Sequence, residues 1–177
     1  MCTPFNFEVF TDRIGVSLLP LIENDAEPLF EMLCASREHL KNAGEWKWNQ
    51  YRTLESIYDI THFPKRDRTH YGIWHDDAMV GYISVRLISD EPPLISYWTG
   101  APFVRRGYAS SAARALALEA FGLGYREVLA VVSPENVPSR KCLERAGFTA
   151  HPHPAYAIPG VSQVCYARKA NQGAKAA

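Results

Sequence analysis

The order of elements in this sequence predicts an α/β (α+β) fold, a mixed central β-sheet of about seven strands flanked by about four helices, in the order β-α-α-β-β-β-α-β-α-β-β. Three observations carry that expectation. The apolar runs HYGIW, MVGYISVRLIS and LISYWTG are separated only by the turn signals HDDA and DEPP, which is the pattern of an antiparallel meander. An alanine-rich helical stretch and another apolar run, EVLAVV, come next, so strand, helix and strand follow one another late in the chain. Such a crossover places a parallel pair inside a mixed sheet, with helices covering its faces.

Taken in order, the apolar run Arg13 to Leu21 is short enough for a strand. Leu29, Met32, Leu33, Ser36 and Leu40 then recur at helical spacing, with Asn24 or Asp25 placed to cap the start and Gly44 to permit the stop. The segment LESIYDITHF predicts a second, weaker helix closed by Pro64. After the meander, a helix begins at Gly107 and is broken by Gly122 and Gly124. The stretch NVPSRKCLERAGF reads as a helix with Asn136 as cap, Pro138 in the first turn and Gly147 at the end. A last strand is expected in SQVCYARKA, and no internal repeat is visible.

A chain of 177 residues, 47% apolar and 21% charged, has globular composition and enough length to bury a core without disulfide or metal staples. It predicts a single domain over residues 1–170, with 171–177 as a flexible tail. Nineteen basic and nineteen acidic side chains cancel, which gives no general field for nucleic acid or an anionic membrane. Any affinity for phosphate must be local. The start, MCTPFNFEVF, lacks the basic and then apolar pattern of a targeting segment, and no window is long enough to span a bilayer. Cys2, Cys34, Cys142 and Cys165 lie far apart without C-x-x-C spacing, the usage of reduced thiols in a cytoplasmic protein. No metal site is expected, since the prolines beside His151 and His153 make a rigid loop with no third ligand.

The local exception to neutrality is FVRRGYASSA, which follows a strand and opens a helix. The first turn of a helix carries backbone N–H groups without partners and a partial positive charge, so an anion seated there gains hydrogen bonds and dipole attraction together. Gly107 permits a positive φ, Ala109 and Ser110 keep the turn small, and Arg105 and Arg106 add charge at the rim. A nucleotide-binding P-loop is absent, and GLGYRE ends a helix where a dinucleotide fingerprint must open one. Alone, the stretch reads equally well as a solvated turn or an anion site.

A second motif, about thirty residues on, changes that weighting. VRRGYA, followed by Asn136 to Ser139 and then Gly147 and Phe148, resembles the GCN5-related N-acetyltransferase (GNAT) superfamily, whose diphosphate turn reads [QR]-x-x-G-x-[GA] and whose next signature is N-x-x-S/A before G-F. ISYWTGAPFVRRGYASSA, SPENVPSRKCLERAGF and REHLKNAGEWKW resemble more narrowly the RimJ/RimL branch that acetylates ribosomal-protein N-termini. The resemblance implies that acetyl-CoA is the donor, that no metal takes part, and that the acetyl group moves directly to a primary amine. The expected acceptor is a protein N-terminal α-amine. A small-molecule amine (antibiotic, toxin or metabolite) is the alternative, and a non-catalytic acyl-CoA sensor is a second. The branch implies a monomer or homodimer.

Carried over residue by residue, the resemblance assigns the diphosphate to Val104, Arg105, Arg106, Gly107, Tyr108, Ala109 and Ser110. Val104 stands where the family has glutamine or arginine, so one side-chain donor is missing. The main chain at Tyr97 and Trp98 is expected to pair with the pantetheine arm, and an amide there to stabilise the oxyanion. Asn136 is assigned to a pantetheine amide as well as to its helix cap, and Arg140 and Lys141 to the 3′-phosphate. Ser139 matches the position beside the thioester sulfur, where its hydroxyl hydrogen-bonds or protonates the leaving thiolate. Leu143 occupies the place of the tyrosine acid found in many members, and Leu94 that of a common acidic residue. The proposed base is Glu45, raised by the apolar wall of Trp46 and Trp48, with His70 and Tyr97 left open. Trp46, Trp48 and Tyr51 are assigned to the acceptor side, with core packing an equal reading.

Overall fold

A computed structural model describes residues 5–42, 53–62, 67–87, 91–152 and 162–170. Its sheet runs in the spatial order β1-β2-β3-β4-β5-β6-β8-β7. The strands are β1 (Val9–Phe10), β2 (Val16–Pro20), β3 (Arg68–His75), β4 (Ala78–Arg86), β5 (Leu94–Thr99), β6 (Glu127–Val132), β7 (Thr149–Ala150) and β8 (Val164–Lys169). The helices are α1 (Ala26–Ala35), α2 (Arg37–Asn42), α3 (Leu54–His62), α4 (Tyr108–Gly122) and α5 (Val137–Arg145). The mixed sheet, the meander β3-β4-β5 and the β5-α4-β6 crossover match the expected architecture.

Two elements differ from the sequence reading. A short β1 precedes the expected first strand and pairs with it antiparallel. The long first helix is broken into α1 and α2 at Ser36, which is fully buried and whose Oγ accepts a hydrogen bond from Ala101 N at 2.9 Å. A serine turned inward to satisfy the loop after β5 sits at φ −102°, ψ 0°, outside helical geometry, so the helix restarts. Asp25 also behaves differently from a side-chain cap: its carboxylate accepts from Ile22 N at 2.9 Å and closes the 3-10 turn before α1. Gly44, Pro64 and the tail 171–177 lie outside the described residues.

Alternation along the strands divides the core between two faces. Ile83 and Val85 of β4 and Ile95 of β5 join the cluster under α4 and α5, whereas Tyr82 joins Leu29, Leu33 and Ile57 under α1 and α3. Ala112, Ala113, Ala117 and Ala120 of α4 are fully buried, and their small side chains let this helix lie close on the sheet.

One irregularity of the sheet positions everything that follows. The parallel strands β5 and β6 are in register only at Leu94 with Leu129 and Ile95 with Ala130. Beyond that point β6 continues beside β8, opposite Val164 at its end, and β5 continues beside β4, with Thr99 opposite Gly81. The sheet therefore opens into a wedge on the side of β5 that carries Ser96 to Thr99, and the first turns of α4 and α5 stand at its mouth. Backbone groups on an open strand edge are available to an extended ligand.

Candidate active site

A cleft of about 600 Å³ occupies this wedge, lined by Tyr97, Trp98 and Thr99 of β5, by Val104 to Ser110 except Arg106, and by Asn136 to Cys142 except Arg140. Its α4 wall is built from backbone. Gly107 is left-handed at φ 84° and is the N-cap of α4, with no side chain capping the helix. Arg105 is also left-handed, at φ 63°. Positive φ at alternate residues of a turn folds successive amides toward a common centre, the concavity that binds anions. A β-carbon on Gly107 would lie only 3.3 Å from Arg13 Nη1. These features fit a diphosphate.

The same distance identifies a residue that sequence reasoning missed. Arg13, in the loop between β1 and β2, lays its guanidinium over the Tyr108 ring, 5.0 Å from the centroid. Its neighbour Asp12 anchors that loop to α4, accepting from Ser111 Oγ at 2.5 Å and from Arg114 Nη1 at 2.6 Å. The Ser111 hydroxyl and then the Arg114 charge hold the Asp12 carboxyl below the usual carboxylate range. A cation thus reaches the bend where Val104 offers none. Tyr108 itself is buried, with its hydroxyl 3.1 Å from His75 Nδ1, so what it presents to the turn is its amide.

The α5 wall is built from side chains. Asn136 is buried, and its Oδ1 accepts from Ser139 N at 3.1 Å, so capping occupies one lone pair of the carbonyl and leaves the amide nitrogen and the other lone pair for a ligand. Ser139, half-buried, has its Oγ 3.0 Å from the hydroxyl of Tyr97, which also donates to Ser139 O at 3.1 Å. One turn on, Cys142 also lines the cleft, its thiol pushed up to about 11 by burial. A thiol so far above neutrality is a poor nucleophile.

The cationic side chains sort themselves. Lys141 and Arg145 line the cleft. Arg140 is turned away, donating through Nε to Tyr166 OH and through Nη1 to Pro134 O, both at 3.2 Å. Arg106 is exposed and outside the lining. Trp98 stacks on Tyr82 with ring centroids 6.0 Å apart, which ties the strand edge to the α1 side of the sheet. His70 is buried against Tyr82, Nδ1 to hydroxyl 2.6 Å, and does not line the cleft. His39, exposed on α2, does line it. Glu45, Trp46, Trp48 and Tyr51 lie outside the described residues.

Among the described residues no cluster of three or more His, Cys, Asp or Glu is arranged to hold a metal ion. Nor is any described helix long and apolar enough to cross a membrane.

The family model for the acetyltransferase (GNAT) domain matches residues 16–149. No curated protein matches the sequence. Among solved structures, Mycobacterium smegmatis RimJ in complex with CoA-disulfide is similar at 21% identity and a TM-score of 0.79, over 96% of this chain and 90% of its own. The microcin C7 self-immunity acetyltransferase MccE, in complex with acetyl-CoA and AMP, gives 20% identity and 0.73, over 89% and 94%. The aminoglycoside acetyltransferase AAC(6')-Ib, in complex with coenzyme A and kanamycin, gives 19% and 0.71, over 87% and 94%. At these identities the likeness establishes the fold.

Proposed function

The chain belongs to the acetyltransferase (GNAT) family, and from that premise we propose that it is an acetyl-CoA-dependent N-acetyltransferase acting on a primary amine by direct transfer. The observation that carries the reading is the uncapped, left-handed start of α4 beside the open edge of β5, with Ser139 facing both. The amides from Arg105 to Ser110 hold the diphosphate, with Arg13 and Arg105 supplying charge, and Lys141 and Arg145 stand ready for a further phosphate. The side of β5 that faces the wedge receives the pantetheine arm. Acetyl-CoA supplies an activated acyl group, and this chain's residues align, polarise and protonate. The neutral thiol of Cys142 favours direct attack by the amine over an acyl-cysteine route.

For the acceptor we favour a small-molecule amine, with a protein N-terminal α-amine as the second reading. MccE and AAC(6')-Ib, solved with AMP and with kanamycin, resemble this chain at TM-scores of 0.73 and 0.71, beside 0.79 for RimJ. The Rim-type motifs of the sequence support the second reading. A mass-spectrometric screen of aminoglycosides, aminoacyl nucleotides and N-terminal peptides against acetyl-CoA decides between them. Acetylation of small amines alone is the expected result, and acetylation of peptides alone reverses the order. Tight coenzyme A binding with no turnover across the panel replaces both with a sensor.

Two side chains compete for the role of base. Glu45 is the sequence candidate, and His39 is a described lining residue whose imidazole carries a lone pair for a proton. Glutamine at the true base lowers kcat by about 10²-fold or more and flattens the acid limb of the pH–rate profile, whereas glutamine at the other leaves that limb in place.

A further inference from the structure

The contact between Tyr97 and Ser139 has a chemistry that neither residue has alone. A serine hydroxyl is a far weaker acid than a thiol, so it cannot by itself leave a proton on a departing thiolate and remain an alkoxide. It can pass one on only if another acid reloads it in the same motion. Tyr97 stands in that position. Its hydroxyl lies 3.0 Å from Ser139 Oγ and donates to Ser139 O at 3.1 Å, so one phenolic proton has two acceptors on Ser139, beside a further side-chain contact with Cys142 one turn on. It can swing from the carbonyl to Oγ without displacement of a heavy atom. The bond from Ser139 N to Asn136 Oδ1, 3.1 Å, fixes the serine in the first turn of α5, and the opposite register of Tyr97 and Ile83 fixes the tyrosine on β5. The two side chains thus bridge the wedge between β5 and α5.

We propose that Tyr97 is the positioning residue of a two-proton relay, in which it reloads Ser139 as Ser139 protonates the sulfur released from the acyl donor. The proposal rests on the transferase reading given above. The amine nitrogen forms the C–N bond, the C–S bond breaks, and its electron pair stays on sulfur. The Ser139 proton passes to sulfur, the Tyr97 proton passes to Ser139 Oγ, and the phenolate regains a proton from solvent. An acceptor that starts as an ammonium gives up two protons. One balances the proton taken by sulfur and the other is released. Phenol and thiol pKa values of about 10 and 8.5 lie close enough for such an exchange.

The test uses the full-length protein, the best amine of the screen, and the variants Tyr97→Phe, Ser139→Ala and their combination. Phenylalanine keeps the ring and removes only the hydroxyl. We expect Tyr97→Phe to lower kcat by about 10²-fold, in the range of a lost general acid, with coenzyme A affinity by calorimetry within about threefold of the parent. The double variant should be no slower than Ser139→Ala, because the relay acts as a unit. A second readout needs no turnover: ultraviolet titration of the thiol of bound coenzyme A should give a higher pKa in Tyr97→Phe and in Ser139→Ala than in the parent. The relay is overturned if Tyr97→Phe retains parental kcat, if its loss appears only in affinity, or if the two substitutions multiply. Should the parent turn over no amine while binding coenzyme A, the transferase reading falls and the relay with it. Parental turnover with an unaffected Tyr97→Phe removes the relay alone.

Discussion

Helices α4 and α5 both start at the cleft, yet their first turns are finished in opposite ways. The amides of α5 are met from within, by Asn136 Oδ1 bonded to Ser139 N at 3.1 Å and by Pro138, which has no N–H to satisfy. Those of α4 are met by no side chain, and Gly107 at φ 84° turns the chain sharply into the helix. A helix start left open costs stability that a serine or asparagine readily supplies. Here the open start is flanked by the guanidinium of Arg13 and lines a cleft of about 600 Å³. The contrast teaches which end has backbone to offer to the diphosphate of the proposed donor. The capped helix spends its backbone on itself and offers side chains, whereas the uncapped one offers its backbone.

The largest expected effect comes from closing the open end. Gly107→Val places a β-branched residue at a left-handed φ and drives its β-carbon toward Arg13 Nη1, 3.3 Å away. The strain of about 1–2 kcal/mol is relieved only by turning the amides out of the bend. Calorimetry should show coenzyme A affinity falling by about 10-fold or more, a change of about 1.4 kcal/mol. Parental affinity in this variant would mean that the diphosphate is held elsewhere.

A smaller effect is expected from opening the closed end. Asn136→Ala removes the cap of α5 and should cost about 1 kcal/mol, lowering Tm by about 2–4 °C for a chain of this size. Since its carbonyl is engaged with Ser139 N, coenzyme A affinity should change by less than about threefold, well under the effect at Gly107. A loss of affinity as large as that of Gly107→Val would sharpen the picture differently, by making the Asn136 amide a direct ligand.

What the sequence disclosed about these two helices was local, and what it hid was not. The glycine of the turn, the Asn136 cap and the period-2 runs of the meander each depend on neighbours in the chain, so they are legible without a fold. The wedge was legible only as a topology, strand, helix and strand. The contact of Tyr97 with Ser139 joins residues far apart in sequence, and neither residue type announces the other. Arg13 reaches Gly107 from a loop near the start of the chain, guided by the Asp12 anchor, with no spacing signal. The break at Ser36 did leave a trace: a polar residue on an otherwise apolar stripe. Arg140 and Lys141 show the limit of reading charge alone, because adjacent helical residues point about 100° apart. Only Lys141 faces the cleft.

The smallest effect concerns the clamp that keeps the two helix starts in step. Arg114 of α4 donates to Asp12 Oδ2 and, through Nη2, to Arg145 O at the end of α5, both at 2.6 Å. The Asp12 carboxyl is held low in the folded state, first by Ser111 and then by Arg114. A depressed folded value means that its contribution is fully present above the unfolded value of about 3.9 and is lost as pH falls through the folded one. Both partners of the ion pair are partly exposed, with side-chain exposures of 38% and 51%, so solvent screening limits the contribution to at most about 1 kcal/mol. Asp12→Asn should therefore be slightly less stable than the parent in urea at pH 7, and the two should converge as the pH falls below the depressed folded value of Asp12. A difference that persists undiminished in acid would show that the anchor works through shape and neutral hydrogen bonds. In that case the β1–β2 loop keeps Arg13 beside the open helix whatever the charge on Asp12.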